Sequence, residues 1–178
     1  SVISFPKSEQ AFLPAFDKIH LQGDRMAAKN NKDFLRVLVP TDFSETSANA
    51  AEYALNIARQ NKARLYVIHV IDTSDDPSGF YLPHLSYEKL NKEMREAALV
   101  MLSKFCAKHF KGFKNMETHV LIGEPYKEIV KVIKGFKIDL TVMGTMGRTG
   151  IDRFIFGSTT ERVMKKAVCP ILVVPGGR

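Results

Sequence analysis

The chain has 178 residues, 45% of them hydrophobic, which suits one globular domain with or without a tail. No apolar run approaches the roughly 18 residues of a membrane span, and the first residues lack the basic start and long apolar stretch of a secretory signal. The net charge of +7 is scattered; its densest set, Lys104, Lys108, Lys111 and Lys114, suits a solvated helix end, so neither nucleic acid nor membrane is an expected partner. Two cysteines, Cys106 and Cys169, sit in no metal-type spacing and read as reduced thiols of a cytoplasmic protein.

Residues 1–33 read as an N-terminal extension and linker, with Pro6, Pro14 and Gly23 among short apolar clusters and a polar run before Phe34. From Phe34 to Arg178 the pattern is regular. Leu35 to Val39 is a short β-branched-rich run ending at Pro40, a buried strand. A helix follows from Ser44 to about Gln60, with Ala48, Ala51, Leu55 and Ala58 on its packing face. Arg64 to Val70 is the second strand. Asp72 to Leu85, with Pro77, Gly79 and Pro83, is a long connection that suits a mobile segment or a lid. The longest helix runs from Ser86 to about Phe110, with Leu90, Met94, Ala97, Met101 and Phe105 as its buried stripe.

Thr118 to Ile122 is the third strand. Pro125 suits the first position of the next helix, and Gly135 its stop. Asp139 to Met143 is the fourth strand, and a glycine-rich loop runs to Gly157. A helix from Ser158 to Lys166 and a strand from Ile171 to Val174 complete the pattern. Strands and helices alternate throughout, so the expected fold is α/β, a parallel open sheet with helices on both faces. Any ligand crevice then lies beyond the strand C-termini, where strand order reverses.

Two segments meet there if the first and fourth strands are neighbours. One is Val39-Pro40-Thr41-Asp42; the other is Met143-Gly144-Thr145-Met146-Gly147 with Gly157-Ser158-Thr159. Gly144 and Gly147 let main-chain N–H groups approach a bound group. Gly157 leads into a helix whose first amides lack partners, and Ser158 and Thr159 add hydroxyls, a pattern that suits phosphate. Arg148 is a candidate positive charge. The rival reading makes these glycines turn formers only. Asp42 reads equally as a ligand to base or ribose and as a cap for the helix near Ser44. There is no Walker A loop and no dinucleotide fingerprint. His69 reads as a satisfied core histidine, and His20, His84, His109 and His119 as loop or surface residues.

These residues resemble the universal stress protein family. The resemblance covers Phe34 to Pro175 and rests on Val37 to Ser44, Ile68-His69-Val70, Gly123-x-Pro125 and Gly144-x2-Gly147-x9-Gly157-Ser158. It implies a five-stranded sheet in order 3-2-1-4-5, Rossmann-like and akin to the adenine nucleotide α-hydrolase fold. It implies Pro40, Thr41, Asp42 and Val70 around adenine and ribose, with Met143 and Gly144 completing the nucleoside pocket. Gly147, Gly157, Ser158 and Thr159 would hold phosphates, with Mg²⁺ bound mainly by the phosphates. A homodimer through Ile171 to Val174 is implied as well. The function implied is an ATP-binding stress-response or signalling regulator with slow or no hydrolysis. The alternatives are a nucleotide-free interaction module of the same family, or a weak ATPase. Family members begin within a few residues of the first strand, whereas here Ser1 to Asp33 come first.

Overall fold

The computed structural model describes residues 34–73, 84–145 and 156–176, with only the helical backbone given for 84–91. The connection expected between Asp72 and Leu85 falls largely outside the described residues.

Five strands form one parallel sheet in the order β3-β2-β1-β4-β5. They are β1 (Arg36–Pro40), β2 (Arg64–Asp72), β3 (Met116–Gly123), β4 (Leu140–Gly144) and β5 (Ile171–Val174). The helices between them are α1 (Glu45–Asn61), α2 (His84–His109), α3 (Pro125–Gly135) and α4 (Ser158–Lys166). The sheet has the expected fold and order. β1 lies at its centre, pairing with β2 from Arg36 to Pro40 and with β4 at Val37 and Leu38.

A strand buried on both faces carries apolar side chains in an unbroken run, and Val37, Leu38 and Val39 have no exposed surface. Their alternation divides the core. Val37 and Val39 join Leu65 and Val67 beneath α1 and α2, while Leu38 joins Ile68, Met143, Ile129 and Ile133 beneath α3 and α4. Each fully buried Val, Leu or Ile contributes roughly 1.5–3 kcal/mol.

Helix α1 starts at the cap Ser44, whose Oγ accepts the Ser47 amide, and ends at Lys62 in a left-handed conformation, φ 54°. Its buried face is Ser47, Ala50, Ala51, Ala54 and Ala58. That corrects the expected Ala48 and Leu55, which are only partly buried. With alanines at nearly every turn, sequence spacing does not single out one face. The small face lets α1 lie close on β1 and β4.

The stripe expected on α2 is also corrected. Ala98, Leu102, Phe105 and Cys106 are buried, whereas Met94 and Met101 are 40% and 43% exposed. Of the expected residues with a described side chain only Phe105 is core, and the two methionines are not core fillers. Pro125 does sit at the start of α3. Gly135 does not supply its stop: it is the last helical residue, and the left-handed position belongs to Lys137, φ 50°. The Ile138 amide there donates to the Ile133 carbonyl at 3.0 Å. His119 lies within β3, not in a loop.

Candidate functional site

The strand order reverses at β1, which has the earlier strands on one side and β4 on the other. Chains leaving β1 and β4 diverge there, and the gap between them becomes a crevice. The structure has a cavity of about 580 Å³ at that point, within the range of about 300–1,000 Å³ usual for small-molecule sites.

On the β1 side, the Thr41 amide donates to the Ile68 carbonyl at 2.8 Å, extending the sheet pairing by one residue. Thr41 is buried, and its Oγ1 lies 2.9 Å from Ser47 Oγ and accepts the Phe43 amide at 3.0 Å. The chain then turns sharply. Phe43 has φ 65°, a region that costs a residue with a side chain about 1–3 kcal/mol. Asp42 Oδ1 accepts the Ser44 amide at 3.1 Å and the Ser44 hydroxyl at 2.5 Å. The cap of α1 is therefore Ser44, and Asp42 braces that cap while also lining the cavity. The capping reading of Asp42 holds as a brace on Ser44, and its place in the lining puts it where a ligand would be met.

On the β4 side, α4 begins at Gly157, which offers no side-chain cap. The Gly157 amide donates to the Thr145 carbonyl at 2.8 Å, and Thr160 Oγ1 donates to the Gly144 carbonyl at 2.9 Å. These bonds pin the first turn of α4 to the end of β4. Thr145 itself donates to the Val174 carbonyl at 2.9 Å. Gly144 has no positive φ; its missing side chain serves close packing on Thr46 rather than an unusual backbone angle.

Pro40, Thr41, Asp42, Val70, Met143, Gly144, Gly157, Ser158 and Thr159 all line this one cavity. Gly147 and Arg148, also expected there, lie outside the described residues. Sequence reasoning did not single out Ser47, Met94 or Thr160, which line it too. A third hydroxyl after Ser158 and Thr159 was the one visible signal for Thr160. Spacing marked Met94 only as part of the buried stripe of α2, not as a lining residue. His69 is a satisfied histidine, its Nδ1 2.8 Å from the Thr41 carbonyl, but it stands partly exposed in the cavity wall rather than in the core. Among the described lining residues the carboxylates are Asp42 and Asp72, and there is no lysine or arginine. No group of three or more potential metal ligands occurs among the described residues.

The architecture defines a doubly wound α/β domain with a crevice at the topological switch point. Residues 33–175 match the Universal stress protein family, and the chain belongs to that family. It is 38% identical over 141 residues to universal stress protein MJ0531 of Methanocaldococcus jannaschii, a match covering 79% of this chain and 82% of that one. A solved structure of MJ0577, a universal stress protein of the same organism, superposes with a TM-score of 0.72 at 27% identity, covering 82% of this chain and 99% of that one. Universal stress protein UspA of Lactobacillus plantarum superposes with a TM-score of 0.65 at 31% identity, covering 81% and 99%. No helix among the described residues is long and apolar enough to cross a membrane.

Proposed function

We propose that this chain binds an adenine nucleotide, ATP in the first instance, and acts as a cytoplasmic stress-response regulator with slow or no hydrolysis. The observation that carries this reading is the uncapped start of α4 on the wall of the cavity. The first amides of a helix lack intrahelical partners and carry partial positive charge, so they attract phosphate. Pro40, Val70 and Met143 supply apolar surface for a base, and Asp42 supplies an acceptor for a ribose hydroxyl or base amine. Gly147 and Arg148 remain part of the proposed phosphate loop. With no group of three or more candidate ligands among the described residues, Mg²⁺ would be carried on the phosphates, where it neutralises charge.

The residues present fit such a group in size and in donor type. They differ from many phosphate sites in having carboxylates and no described cation in the lining. That difference favours a second reading, a nucleotide-free interaction module. Denaturing freshly purified protein and assaying the supernatant for adenine nucleotide, with calorimetry against ATP and Mg²⁺, decides between them. Bound nucleotide or a measurable affinity is expected. A folded protein with neither belongs to the second reading. Turnover near the enzyme median of about 10 per second would instead make the chain an ATPase.

We also propose a homodimer through β5. This four-residue strand lies at the sheet edge, with Ile171, Leu172 and Val173 only partly buried, and an edge strand of that kind invites pairing. The proposed division remains an extension of residues 1–33 and a family domain from Phe34 to Arg178.

A further inference from the structure

We propose that His69 is a positioning residue for the nucleoside end of the cavity, holding the Thr41-Asp42-Phe43 turn in the shape that presents Asp42 to a ligand. This role rests on the nucleotide reading above and deepens it.

The imidazole grips the turn on both sides of Asp42. Its Nδ1 lies 2.8 Å from the Thr41 carbonyl oxygen. A carbonyl can only accept, so Nδ1 carries the proton. The ring face packs on Phe43, with centroids 4.3 Å apart and planes at 31°. Phe43 is the left-handed residue of the turn, and its ring also makes an edge contact with Phe105 of α2, centroids 5.9 Å apart. A non-glycine residue holds such a conformation only where its surroundings over-determine it.

The anchor itself is firm. His69 belongs to β2 and pairs in register with Val120 of β3, and the residue before it, Ile68, accepts the Thr41 amide. Backbone from Ile68 and side chain from His69 thus fix both backbone polar groups of Thr41. Asp42 lies between Thr41, held by the donor, and Phe43, held by the ring. Both Asp42 and His69 line the cavity.

Two substitutions separate the two grips. His69→Phe keeps a ring against Phe43 and deletes the donor. His69→Asn keeps an N–H near the position of Nδ1 and deletes the ring. Affinities for ATP, for adenosine and for inorganic tripolyphosphate are measured by calorimetry on each folded variant. His69→Phe is expected to weaken ATP and adenosine alike by about fivefold, the worth of one neutral hydrogen bond, and to leave tripolyphosphate unchanged. His69→Asn is expected to recover most of that loss. In the ligand-free protein, amide hydrogen exchange at residues 42–44 is expected to quicken in His69→Phe.

Unchanged ATP affinity in His69→Phe overturns the role given to His69 and leaves the nucleotide reading intact. An equal loss for tripolyphosphate also overturns it, since general loosening would move both ends of the site. Unchanged exchange at 42–44 counts the same way. A wild type that binds no ATP overturns the nucleotide reading, and this role with it.

Discussion

A β-carbon added to Gly144 would stand 3.0 Å from the backbone carbon and from the Cβ of Thr46. The end of β4 and the first turn of α1 are therefore in contact at the limit of close packing, beside the crevice that Gly144 lines. Part of the obstacle is backbone, so trimming the Thr46 side chain does not remove it. Gly144→Ala is expected to destabilise the fold by about 1–3 kcal/mol, as overpacking does. Adding Thr46→Ala is expected to recover only part of the loss. Urea unfolding of the single and double variants measures both. A Gly144→Ala protein as stable as the wild type would mean the contact relaxes freely.

That contact illustrates what was legible in the sequence and what was not. Strand and helix order followed from short β-branched runs separated by amphipathic stretches. Ser158 to Lys166 and Ile171 to Val174 end where the spacing placed them. The faces of the long helices did not follow. On α2 the apolar residues Met94, Ala97, Leu99, Val100 and Met101 are exposed alongside the buried Ala98, Leu102, Phe105 and Cys106. Apolar side chains thus surround most of the helix, and a 3.6-residue period selects no single stripe. The crevice was legible because its parts sit at strand ends. The reason for Gly144 was not, because its partner Thr46 is close only after folding.

Gly157 offers a way to separate binding from stability. Its φ of −59° and ψ of 149° suit any residue, so a side chain adds no backbone strain. Aspartate is a good N-cap, and its carboxylate also complements the helix dipole. Gly157→Asp is therefore expected to leave stability unchanged or raise it by a few tenths of a kcal/mol. The same carboxylate would occupy the amides assigned to phosphate and repel an anion. ATP affinity is expected to fall at least about tenfold, since the amide bonds of the anion are lost. Thermal melts alongside calorimetry read the two effects separately. Wild-type affinity in Gly157→Asp would show that the start of α4 holds no phosphate.

Cys106 is buried, and burial pushes its thiol up to about 11. At pH 8 almost none is thiolate, and the thiolate is the reactive form. Cys169 is only partly buried. A Cys169→Ser protein is expected to stay unlabelled by Ellman's reagent over minutes in buffer, then to release one equivalent on unfolding in guanidinium. Prompt labelling of the folded variant would place Cys106 on a mobile, solvent-reached surface instead of in the packing between α2 and the sheet.

His109 closes α2 and packs on Phe105, centroids 4.6 Å apart. Burial holds its pKa below the ordinary 6.5, Lys108 lowers it further, and Glu52 opposes both. Folding therefore favours the neutral ring. Below pH 6.5 the unfolded chain takes up a proton that the folded protein resists, so stability falls as the pH drops through that value and levels off below the folded pKa. Above 6.5 both states are neutral at this site and it contributes no pH dependence. His109→Gln cannot titrate, so the fall in melting temperature between pH 8 and pH 5.5 is expected to be smaller in the variant than in the wild type. Equal falls would place the acid sensitivity of the fold at other groups.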